Sequence, residues 1–91
     1  MERQHTCPIC GAGGLPSWER YPRYVCGRCA GRACDERGRR LEFYNEGPFG
    51  GFISVYADTR EPYGGHRCYI DGRACRADEA RFGGIVIQLL A

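Results

Sequence analysis

Ninety-one residues carry a net charge of +2, 43% apolar residues and seven cysteines. A chain this short suggests one domain that buries only roughly 60–65% of its unfolded surface, so a staple is expected. No apolar run reaches the ~18–20 residues of a membrane span, the first five residues lack the apolar segment of a signal peptide, and the odd cysteine count argues against a secreted disulfide framework; the chain reads as cytoplasmic.

All thirteen basic residues are Arg, whose planar fork suits carboxylates, phosphates and aromatic faces. They are unevenly spread: residues 1–40 hold eight Arg against four acids, and residues 41–91 hold five against seven.

The first informative stretch is Cys7-Pro8-Ile9-Cys10, followed after fifteen residues by Cys26-Gly27-Arg28-Cys29. Two CxxC pairs at this separation fit a site of four thiolates around one tetrahedral metal ion, with Gly11 and Gly31 placed where the turns favour a residue without a Cβ. Over about residues 5–31, a third of the chain, the segment resembles a zinc ribbon with rubredoxin-like knuckles. The resemblance implies one structural Zn²⁺ on Cys7, Cys10, Cys26 and Cys29, with iron as the lesser alternative because a Cys₄ tetrahedron accepts either. Four sulfurs close the coordination sphere and leave no position for water or substrate. Four thiolates and Zn²⁺ also add a net −2, which lowers the +4 of residues 1–40 to +2 and weakens the electrostatic case for nucleic acid.

Between the pairs, Gly and Pro argue against a helix, and Tyr24-Val25 suits a short strand entering the second knuckle. Trp18, Tyr21 and Tyr24 are expected to cover the metal site, with an exposed binding face as the rival role. The charged link that follows places the boundary between a zinc-ribbon lobe over 1–33 and a β lobe over 34–91, the two forming one cooperative domain. Leu41–Tyr44 and Phe52–Ala57 read as strands joined by a turn starting at Asn45, with Gly50-Gly51 entering the second through a bulge. Alternation sets Phe52, Ser54 and Tyr56 on one face, and Ile53, Val55 and Ala57 on the other.

The second informative stretch runs from His66 to Cys75. Asp71-Gly72 between two β-like runs predicts a two-residue type I′ hairpin, because both central positions need positive φ. The register then opposes Ile70 to Arg73, Tyr69 to Ala74 and Cys68 to Cys75. His66 shares a face with Cys68, so His66, Cys68 and Cys75, with Cys34, could hold a second metal ion. Buried core cysteines are the leading reading, ahead of that site and of a redox or nucleophilic pair. Catalysis by Cys68 would need His66 as base, oriented by Asp58, Glu61 or Glu79; the chain reads more as a non-enzyme. Residues 77–82 allow a helical turn stopped by Gly83-Gly84, and the apolar run 85–90 predicts a strand covered on both faces, central in the sheet.

The expected fold is a small zinc-bound, mainly β domain: an N-terminal zinc ribbon joined to an antiparallel sheet of about four strands, with at most one short helix. The expected function is macromolecular recognition, with a protein partner ahead of RNA or DNA and both ahead of catalysis. Trp18, Arg20, Tyr21, Arg23, Arg37, Arg39 and Arg40 supply the residue types for it.

Overall fold

A computed structural model describes residues 4–81 and 83–90. The elements in chain order are β1 (Gln4–His5), β2 (Leu15–Pro16), α1 (Gly27–Ala30), β3 (Leu41–Tyr44), β4 (Ile53–Tyr56), β5 (Arg67–Ile70), β6 (Arg73–Glu79) and β7 (Ile85–Leu89). The mainly β, antiparallel expectation holds, and α1 is a single turn. The strands predicted after residue 40 divide between two sheets, β3-β4 and β5-β6-β7, while β1-β2 forms a small ribbon at the N-terminus.

The β5-β6 hairpin has the predicted register, with Cys68 opposite Cys75, Tyr69 opposite Ala74 and Ile70 opposite Arg73. Its turn is made by Asp71 at φ 52° and Gly72 at φ 79°, the two positive values that a type I′ turn requires. In β4 the inward face carries Ser54, 5% exposed, with Phe52 just before the strand and Tyr56 both packed on the core; Ile53 faces solvent at 36%.

Two expectations at the C-terminal end are corrected. Ala77–Glu79 do not turn into a helix but continue β6, paired to β7 through Ala77–Ile87, Asp78–Val86 and Glu79–Ile85; of the predicted turn, Phe82 lies outside the described residues. The glycine pair closes a hairpin, with the Ala80 amide donating to the Gly84 carbonyl and both Gly83 and Gly84 at positive φ. A run as β-prone as Ile85-Val86-Ile87 offers a full ladder, which outweighs the modest helix preference of a six-residue segment. Nor is β7 central: β6 is the middle strand, and only Ile87 and Leu89 of β7 are buried. The outer edge of β7 is met over part of its length by Arg23–Val25, where the Leu89 amide donates to Arg23 O and the Val25 amide to Ile87 O.

One core cluster draws on the whole described chain. Cys7, Val25, Cys29 and Ala33 pack with Leu41, Cys68, Ile70, Cys75, Ala77, Ile87 and Leu89, and Ile70 is the largest side chain fully buried. The ribbon residues and the later sheets thus share apolar contacts across the link at 32–40.

Candidate metal centre

The four cysteines of the two pairs converge. Around Cys7 the backbone doubles back: the Gly11 amide donates to Cys7 O at 2.9 Å and the Cys7 amide to Ala12 O at 2.8 Å. Gly11 sits at φ +79°, so the expected need for a glycine is real there. At the second knuckle Cys26 precedes α1 and Cys29 lies inside it, so one helical turn sets their spacing. Gly31 has an ordinary φ of −67°, and its lack of a Cβ is not required by the turn.

The sulfurs of Cys7, Cys10, Cys26 and Cys29 all lie within 4.8 Å of one another. Cys7 Sγ is 3.8 Å from Cys29 Sγ, and Cys10 Sγ is 3.7 Å from Cys26 Sγ. A tetrahedron with metal–sulfur bonds of ~2.3 Å has edges of roughly 3.8 Å, whereas a disulfide would bring sulfurs to about 2.05 Å. The donor set therefore fits a metal ion on both chemistry and spacing. Among the described residues no other group of His, Cys, Asp and Glu gathers this way.

The site is asymmetric. Cys7 and Cys29 are buried and belong to the core cluster, whereas Cys10 is exposed and Cys26 half-exposed. Burial pushes the Cys7 thiol up, but the backbone N–H groups around it, Cys10, Cys26 and Ile9, outweigh that and bring it down to about 6. The Cys26 amide is 3.3 Å from Cys7 Sγ. Cys29 moves the other way, to about 12, through burial and then the neighbouring thiols. Four thiolates this close repel one another, and a bound cation would offset that repulsion.

Two Arg residues that sequence reasoning did not assign to the site support it. Arg32 Nη2 lies 3.5 Å from Cys29 Sγ and 2.9 Å from Asp71 Oδ2. Arg73 donates to Pro8 O at 2.8 Å. The tip of the β5-β6 hairpin thus reaches both knuckles: Asp71 holds Arg32, whose guanidinium lies against the Cys29 sulfur, and Arg73 holds the backbone at Pro8. Only the D-G hairpin signal could have hinted at this, because the contacts span 39 and 65 residues of sequence.

The second cysteine group is not assembled for a metal. His66 stacks on Phe52, with ring centroids 4.1 Å apart, and its Nδ1 lies 2.8 Å from Ala77 O and 3.1 Å from Asp78 Oδ1. Cys34 donates to Tyr69 O, Cys75 Sγ lies 3.6 Å from Arg73 O, and Cys68 and Cys75 are fully buried. Burial, with Cys75 and Cys34 nearby, pushes the Cys68 thiol up to about 12, the wrong direction for a nucleophile. The orienting carboxylates proposed for His66 are elsewhere: Asp58 pairs with Arg39, Glu79 binds the Gly51 amide, and Glu61 is exposed.

The recognition residues are scattered over several places. Trp18, Arg20 and Tyr21 line a groove of about 480 Å³ with Tyr24, Ile85 and Val86. Trp18 is 55% exposed and lines this groove, the exposed face that is the rival to covering the metal site. Tyr24 instead stacks on His5 at 4.0 Å. Arg23 is occupied by Leu89 O and Gln88. Arg39 pairs with Asp58 and lies 3.8 Å over the Tyr56 ring, and it shares a polar depression with Arg37, Asp35 and Tyr63. Arg40 lines a third groove.

Compared with protein-family models, curated proteins and solved structures, the chain shows no significant match in any of the three. Fold and site together define the class: a small, mainly β protein built around a four-cysteine metal-binding cluster. No described helix is long and apolar enough to cross a membrane.

Proposed function

We propose that the ion is one structural Zn²⁺ and that the folded chain is a recognition module for a protein partner. The observation that carries the partner reading is the aromatic groove: Trp18 stands more than half exposed beside Tyr21, Tyr24, Ile85 and Val86, with no catalytic set in it. Exposed aromatic side chains rimmed by Arg are the composition of protein-binding hot spots.

Charge favours protein over nucleic acid. Arg32, Arg39, Arg60 and Arg76 are each paired with Asp or Glu, so much of the Arg content is neutralised on the molecule itself. Zinc suits the donor set because thiolates select it and four of them saturate it. The cytoplasm, where thiols stay reduced, suits seven free cysteines.

The test has two arms. Metal analysis of purified protein should return one zinc per chain; iron or no metal overturns the first claim. Capture from nuclease-treated extract should recover a partner with wild-type protein and lose it with Trp18→Ala and Tyr21→Ala. RNA or DNA binding should be weak, with a shallow salt slope. Submicromolar affinity near physiological salt with a steep slope would replace protein with nucleic acid.

A further inference from the structure

The two sheets of the β lobe turn unpaired edges toward one groove. In β3, the Ala57 amide donates to Arg40 O, which places the hydrogen-bonding groups of residues 40, 42 and 44 toward β4. Those of Leu41 and Phe43 therefore point the other way, and the Leu41 amide, which donates to Ala33 O, does so. In β7, the Leu90 amide donates to Ala74 O and the Ala80 amide to Gly84 O, so even-numbered residues serve β6. Ile85, Ile87 and Leu89 point outward.

Arg23–Val25 takes up Leu89 N–H and Ile87 C=O. The Ile85 N–H and C=O, the Ile87 N–H, the Phe43 N–H and C=O and the Leu41 C=O have no partner among the described residues. These groups border a groove of about 320 Å³ lined by Ala30, Gly31, Leu41, Phe43, Ile85 and Ile87, with Arg40 and Glu42 also in its wall. Leu41 and Ile87 are 4% and 5% exposed, so the slot runs beside the core.

We infer that this slot accepts an extended segment of a partner protein by strand addition. The inference rests on the protein-recognition reading and adds where the partner's backbone lies. Unpaired strand edges recruit another strand's amides, and alternate side chains of that strand supply specificity. β3 is four residues long, so the occupant is a segment of about four residues, each rising ~3.3 Å. It carries an aliphatic side chain for Phe43 and Ile85, the part-exposed apolar residues of the lining.

It also carries an acidic side chain. The lining holds one cation and one anion, Arg40 and Glu42. Glu42 is already engaged by Arg60 and Tyr44, whereas Arg40 has no ion pair among the described residues, so it is the charge left for a carboxylate of the occupant. The open edges are short, which suits a slot for one segment and disfavours open-ended stacking of copies.

Panning a random linear-peptide phage library on the metal-loaded protein tests this. Synthetic copies of the selected peptides are then added to labelled protein, and backbone amide exchange is followed. The Phe43, Ile85 and Ile87 amides should exchange quickly in the free protein, despite lying in strands, and become protected on binding. N-methylation of every second peptide amide should weaken binding in either phase, one phase removing the bonds to the Phe43 edge and the other those to the Ile85–Ile87 edge; a phase that leaves binding unchanged would overturn the two-sided slot.

Gly31→Leu is the blocking variant, since its φ is −67° and an added Cβ meets nothing closer than 3.5 Å. It should keep its metal and melting temperature and bind peptide at least ~10-fold more weakly. Arg40→Glu should weaken acidic peptides about threefold, the size of an exposed ion pair. Peptides that protect only the Trp18–Tyr24 segment would overturn the slot while leaving protein recognition standing. Slow exchange of Phe43 and Ile85 in the free monomer, or dimer formation through these amides, would overturn it as well. Failure to select any peptide, together with tight nucleic-acid binding, would overturn both readings.

Discussion

Removing the metal ion is the perturbation to which this fold should respond most. The ribbon before residue 31 has two-residue strands β1 and β2 and, among the described residues, only Val25 as a buried aliphatic side chain. Its remaining buried anchors are Cys7 and Cys29, two of the four sulfurs. Structural zinc binds with an apparent free energy of about 10–16 kcal/mol at 1 M standard state. At 1 µM free ion roughly 8 kcal/mol of that is lost to dilution, which leaves about 2–8 kcal/mol as stabilisation of the folded state. For a domain of this size each kcal/mol moves the melting temperature by roughly 4–8 °C. Chelation should therefore lower the midpoint by at least ~8 °C. The assay is thermal melting by circular dichroism in zinc buffered near 1 µM against excess chelator, with hydrogen exchange by mass spectrometry alongside. Exchange should rise first over residues 4–30. Unchanged midpoint and unchanged protection there would refute the reasoning, because the cysteines would then be packing without a metal.

Ile70→Ala should cost about 2–5 kcal/mol in urea unfolding of the metal-loaded protein, because the side chain is fully buried where β5 meets the cluster; a loss under 1 kcal/mol would show that the site collapses or was never packed. Gly72→Ala should cost ~1–2 kcal/mol through backbone strain alone, since φ is +79° and an added Cβ meets nothing within 4 Å; a neutral result in the same assay would exclude the type I′ turn. Asp35 gives an acid signature. Its carboxylate accepts the Arg37 and Arg39 amides, each at 2.9 Å, and the Arg39 bond leads in holding it below its ordinary value of 3.8. A depressed folded value means that the contribution is fully present above pH 3.8 and is lost as pH falls through the folded value. Asp35→Ala should be less stable than wild type at pH 6, and the gap should narrow toward pH 2–3; an equal gap at both would refute it.

The metal ligands are legible in the sequence because CxxC is a local device: two sulfurs three residues apart can bend around one ion without help from the rest of the fold. The β5-β6 register is legible for the same reason, since Asp71-Gly72 admits few turn geometries and the turn alone sets every pair above it. Tertiary pairing decides the rest. Ala77–Glu79 are strand because β7 is there to pair with, and β7 loses the central place because β6 lies between it and β5. Trp18 stands exposed where composition alone suggests a cover for the metal. For the contacts of Arg32 with Cys29 and Asp71, and of Arg73 with Pro8, the Asp71-Gly72 turn marks a hairpin but not what its tip meets, since guanidinium reach is long and any of thirteen Arg residues could have supplied them. The unpaired edges of β3 and β7 belong to the same category. Which backbone groups remain unpaired depends on how two sheets are set side by side, and no spacing of residues along the chain encodes that distance.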